Sequence, residues 1–186
     1  MAFRFDSVKY PFASGLMEII DPRLDDFIAG ACKMTVAHDT SWFKKIDDPQ
    51  YIYELTKPVS IKLPVVLQDC QAKLKDKKGP FVLFVKGNKM SVLPPYRWDG
   101  ASYAPDFKSV MVPALVHDIL YDAIKSGYQP TGKGREMDFE MADALFMSLM
   151  KAEGFFLNDT YYSAVRYFGG PVRSKDNGEL FIVRNA

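Results

Sequence analysis

Pro113-Ala114-Leu115-Val116-His117-Asp118-Ile119-Leu120-Tyr121 reads as the opening of a helix, with proline in a first turn that needs no amide donor. Four-residue spacing puts His117 and Tyr121 on one face, and Asp118 and Asp122 on the next. A second helix is predicted over residues 136–152, with an apolar stripe at Phe139, Ala142, Phe146 and Met150. Asp143 lies inside that stripe. A carboxylate facing a core is costly unless a donor meets it, and one of the chain's two histidines sits on the preceding helix. The spacing therefore predicts that Asp143 accepts a hydrogen bond from His117, with Tyr121 beside the pair.

Outward from this stretch, the pattern predicts three helices, over about 110–126, 136–152 and 159–168, with Gly127 and Gly154 as stops. Upstream the period changes to two. Val59, Ile61 and Leu63 alternate with polar residues, and two apolar runs, 81–85 and 90–93, flank Gly87-Asn88 as a hairpin would. Residues 180–183 are apolar and suit an edge strand. Strands first and helices after predict an α+β fold. Its expected form is a small antiparallel sheet with a β-hairpin followed by a three-helix core. Residues 1–57 show no firm period and are expected to form an N-terminal lobe, with 58–186 as the domain carrying the histidine motif.

The totals limit the function classes. Hydrophobic residues make up 48% and charged residues 25%, an ordinary balance for a soluble globular chain. The net charge of +1 offers no global field for nucleic acid, so no nucleic-acid partner is expected. The run Lys73-Leu74-Lys75-Asp76-Lys77-Lys78 reads as a solvated loop. Cys32 and Cys70 have neither a CxxC neighbour nor histidine-rich spacing, which predicts buried thiols in a reducing compartment. Neither a secretion signal nor a membrane-spanning run is legible.

Chemistry centres on His117. A carboxylate on one ring nitrogen fixes the tautomer and leaves the other to accept a proton near neutral pH. Water is the default nucleophile, because no serine, threonine or cysteine is tied to the histidine by sequence. Asp118 turns toward a neighbouring loop, for which Trp98-Asp99-Gly100-Ala101-Ser102 is the candidate, and a carboxylate facing loop carbonyls suits calcium. The alternative is a buried polar cluster that staples two helices. His38-Asp39 repeats the dipeptide without a matching acidic helix and reads as structural. The methionines at 137, 141, 147 and 150 read as core, and Tyr96, Trp98 and Tyr103 either line a binding face or cover the hairpin.

Asp99-Gly100-Ala101-Ser102, His117-Asp118-Ile119-Leu120-Tyr121, Ala142-Asp143-Ala144-Leu145-Phe146 and Val165-Arg166-Tyr167-Phe168-Gly169 together resemble a family of unknown function from tailed bacteriophages and prophages. That likeness implies a virion or host-cytoplasm setting, with other virion proteins or an envelope lipid or cell-wall substrate as partners. His117-Asp118-x-x-Tyr121 followed by Asp143 is also similar to the core of secreted and parvoviral phospholipases A2. This second resemblance implies a calcium-assisted hydrolase. His117 would be the base, Tyr121 and Asp143 its supports, and Asp118 the calcium ligand with a glycine loop supplied here by Gly100. The disulfides and calcium-loop sequence of the secreted enzymes have no counterpart. Two functions are thus expected in competition. One is a phage hydrolase of an envelope ester or amide bond, and the other a non-enzymatic tail or neck component.

Overall fold

The structure, a computed structural model, describes residues 16–18, 33–35, 41–100, 107–155, 157–168 and 178–183. Its centre is the hairpin. Strands β7 (Phe81–Lys86) and β8 (Lys89–Val92) pair from Leu83↔Val92 to Lys86↔Lys89, and Gly87 takes a φ of 58° as the first residue of the two-residue turn. Val82, Leu83, Phe84 and Val85 are all buried, so both faces of β7 are covered. On one side β7 pairs with β6 (Cys70–Leu74), whose register shifts between Ala72 and Lys73. On the other side β8 pairs with β5 (Val59–Lys62), and two buried serines, Ser60 and Ser91, stand opposite each other and share a hydrogen bond.

Short strands extend this sheet at both ends. The first strands, β1 (Leu16–Glu18) and β2 (Lys33–Thr35), join beyond β5, and β10 (Leu180–Val183) closes the far edge on β6. The result is a seven-stranded antiparallel sheet in the order β10-β6-β7-β8-β5-β1-β2. A second antiparallel sheet holds β3 (Phe43–Lys45), β4 (Tyr53–Leu55) and β9 (Arg97–Trp98). The α+β class is as expected, and residues 180–183 do form an edge strand. The sheet is larger than the small one anticipated. Two ladders, β1 to β5 and β4 to β9, join strands from either side of residue 57.

Helices α1 (Lys108–Lys125) and α2 (Arg135–Ala152) pack against each other, and α3 (Asn158–Phe168) packs against α2. Leu115, Val116, Ile119 and Leu120 of α1 and Phe139, Ala142 and Leu145 of α2 share one core with Val59, Leu83, Met90 and Val92 of the sheet. A satellite cluster of Val110, Ala114, Phe146, Met150, Phe155 and Tyr161 seats α3. The first helix starts two residues ahead of the predicted position, so Pro113 is its sixth residue and leaves the Ser109 carbonyl without an i+4 amide donor. Tyr96 and Trp98 are core residues here. Trp98 stacks on Trp42 at 5.8 Å and packs against Tyr53. Met141 and Met150 are buried, and Met137 and Met147 are half-buried. His38, Cys32 and Tyr103 lie outside the described residues.

Candidate active site

Packing of α1 on α2 brings His117 and Asp143 together, and the 3.6-residue turn brings Tyr121 to the same spot. Nε2 of His117 lies 3.0 Å from Oδ1 of Asp143, and the Tyr121 hydroxyl donates to that same oxygen at 2.7 Å. Asp143 is completely buried, so the two donors answer the desolvation cost that its place in an apolar stripe imposes. The imidazole sits between two rings, with centroids 4.3 Å from Tyr121 and 5.1 Å from Phe146. All three residues named for catalysis from the sequence are in contact.

The second ring nitrogen departs from expectation. Instead of standing open, Nδ1 lies 3.3 Å from Oδ1 of Asp118, and the residue as a whole is only 9% exposed. Asp118 also faces the Asp99 carboxylate across a hydrogen-bonding contact, so the second residue of the loop anticipated opposite Asp118 is there. Gly100 follows with a φ of 83°, in the region that favours glycine. Residues 101–106, the rest of that loop, lie outside the described residues.

The electrostatics follow from this crowding. Burial works against a charged imidazole, but hydrogen bonds to Asp118 and Asp143 and their negative charges outweigh it and raise His117 to about 9. Burial lifts Asp118 well above the usual carboxylate range, helped by the like charge of Asp99 and opposed by His117. Both shifts favour protonation of this cluster, with the imidazole flanked by Asp118 at Nδ1 and by Asp143 at Nε2.

Calcium, expected from the resemblance on Asp118 and Gly100, would have Asp118 and Asp99 as its nearest carboxylates. Among the described residues, no group of three metal-ligating side chains is assembled. Hard-cation sites use six to eight oxygens, more than these two carboxylates supply.

Two further acids lie nearby, of which Asp138 escaped the sequence reading altogether. Asp122, one turn beyond Asp118, accepts a 2.9 Å hydrogen bond from the Tyr96 hydroxyl. Asp138 is fully buried and caps Thr131 through both its amide and its hydroxyl, at 2.9 and 2.6 Å. Asp122 was legible as a neighbour of Asp118 by spacing, but its partner is 26 residues away in sequence and no local signal marks it. Cys70 is a buried free thiol pushed up to about 12 by desolvation, and so is unreactive.

Comparison with known proteins adds no relative: no family model, curated protein or solved structure matches the chain. The likeness to phage proteins and to phospholipases thus rests on the motifs alone. Among the described residues no helix is long and apolar enough to cross a membrane.

Proposed function

We propose that the protein is a phage-encoded hydrolase of an ester or amide bond of the cell envelope, with His117 as the base that activates water. The observation that carries this reading is the convergence of His117 Nε2 and the Tyr121 hydroxyl on one oxygen of a buried Asp143. That arrangement supports a tautomer with Nε2 protonated and so a reading in which Nδ1 transfers the proton. In the reaction, water displaces the Asp118 carboxyl from its 3.3 Å contact and gives a proton to neutral Nδ1 as its oxygen attacks the carbonyl carbon. The tetrahedral intermediate then collapses, and Nδ1–H returns the proton to the departing alkoxide or amine. Asp143 keeps Nε2–H throughout.

The test is hydrolysis of phospholipid vesicles and of cell-wall fragments by the purified protein, with His117→Gln and Tyr121→Phe alongside. Turnover is expected in the wild type, none in His117→Gln, and a loss of about tenfold or more in Tyr121→Phe, for general-base catalysis of the usual size. Absence of turnover on both substrate classes between pH 6 and pH 10 would sink the enzyme reading.

One observation favours the second reading, a virion tail or neck component in which the network is a staple. The imidazole is held at both nitrogens and wedged between two rings, which is how a buried polar cluster fixes two helices. Mass spectrometry of purified particles separates the readings. A fixed copy number per particle with no turnover supports the staple.

A further inference from the structure

Away from His117, a cleft of about 170 Å³ opens between Tyr51, Leu74, Lys75, Pro95, Tyr96, Arg97, Asp122 and Glu179. Its walls come from the segment before β4, the end of β6, the entry to β9, the last turns of α1 and the entry to β10. Its two acids are held in place. Tyr96 donates to Asp122, Tyr51 is hydrogen-bonded to Glu179, and the Glu179 carbonyl accepts from the Lys75 amide. The backbone beside Glu179 is anchored too: the Leu180 amide donates to Ser126 Oγ, and a Cβ on Gly178 would lie 2.5 Å from the Asp122 carbonyl.

The charges across this cleft are uneven. Asp122 and Glu179 act on each other as like charges, and within the described residues neither has an ion-pair partner. Lys125 acts on Asp122 only at a distance. Arg97 at the mouth is already bound to Glu54 at 2.8 Å and Asp48 at 3.3 Å, and Lys75 is exposed, where solvent screens it. Two fixed carboxylates between phenol rings, with Arg97 engaged by Glu54 and Asp48 and Lys75 out in solvent, match a guest that brings positive charge and a flat or alkyl body. A hard metal ion fits less well, because both phenol groups already donate to the acids and the remaining side chains, Leu74, Pro95, Lys75 and Arg97, bring no oxygen ligand.

We propose that this cleft binds a small organic cation, a primary ammonium or guanidinium compound, whose charged head sits between Asp122 and Glu179 with Tyr51 and Tyr96 as walls. The site is separate from His117, and the proposal stands whether or not hydrolysis is observed. Asp122 faces Tyr96 from the entry to β9, Asp99 beyond it, Glu179 from the entry to β10 and Lys125 on its own helix. Burial first, with Glu179 and Asp99 adding to it and Tyr96 and Lys125 opposing, raises Asp122 to about 6. Binding should therefore strengthen as pH climbs through that value.

The experiment is calorimetric titration of the full chain with n-butylammonium chloride and methylguanidinium chloride, at pH 5 and pH 8, against sodium chloride of equal ionic strength. Saturable binding of either cation at pH 8, weaker by about tenfold at pH 5 and in Asp122→Asn and Glu179→Gln, is the expected result. Both variants keep an acceptor for the tyrosine hydroxyl, and circular dichroism confirms that each is folded. No heat at tens of millimolar cation, equal binding in the variants, or saturable binding of calcium chloride in place of both amines would each overturn the assignment.

Discussion

Asp143 has two donors on one oxygen, and the consequences of removing each are different. His117→Ala strips the charged partner from a buried acid and should cost about 3–5 kcal/mol. Tyr121→Phe removes one hydrogen bond and leaves His117 in place, for about 1–2 kcal/mol. Urea denaturation of both variants at pH 7 measures this ordering. The raised pKa of His117 sets a pH signature as well. Its stabilising contribution is complete below the unfolded value near 6.5 and is lost as pH rises through about 9. The stability gap between wild type and His117→Gln should therefore shrink between pH 7 and pH 10. Under the proposed mechanism turnover moves the opposite way, rising toward pH 9 as the imidazolium gives up its proton. At this scale the sequence was informative because one acid in an apolar stripe leaves few choices of donor. The contact of Nδ1 with Asp118 was not legible, since a 100° step along a helix does not say how far a side chain folds back.

Among the elements, the hairpin and the helices were readable from local pattern. Gly87-Asn88 marks a two-residue turn whatever surrounds it, and the stripe at Phe139, Ala142, Phe146 and Met150 marks the buried face of α2. The three-residue strands were not readable, because β1, β2, β3 and β4 are too short for a period to emerge. What fixes such elements is tertiary, as at β10. Gly178 packs where a Cβ would come within 2.1 Å of Ser126 Oγ and 2.5 Å of the Asp122 carbonyl. Gly178→Ala should therefore lift the entry to β10 off the end of α1 and cost about 1–3 kcal/mol, the usual range for an overpacked contact. Hydrogen exchange at the Leu180 amide, whose acceptor is Ser126 Oγ, should speed up markedly, while exchange in β7 stays slow. Unchanged exchange at Leu180 would contradict this account of the strand's anchor.

For the molecule as a whole, the β1–β5 and β4–β9 ladders pair strands from the two expected segments. Tyr53 and Leu55 of β4 are buried against β9 and its Trp98, and Trp42 stacks on that same indole. A chain beginning at residue 58 should thus expose Trp98 and show a red-shifted emission with a broadened thermal transition. A native-like spectrum from that fragment would argue for an autonomous domain. The boundary drawn from sequence followed a change in periodicity, and periodicity says nothing about which strand a segment pairs with.

The order of the strands also has a temporal side. Every atom of the His117–Asp143–Tyr121 network comes from α1 and α2, complete once residue 152 has been made. The cleft waits for Glu179, which arrives with the last described strand and must travel back to the edge of β6. During synthesis on the ribosome, the histidine network can therefore assemble while the cleft still lacks a wall, and a stalled chain would carry the first without the second.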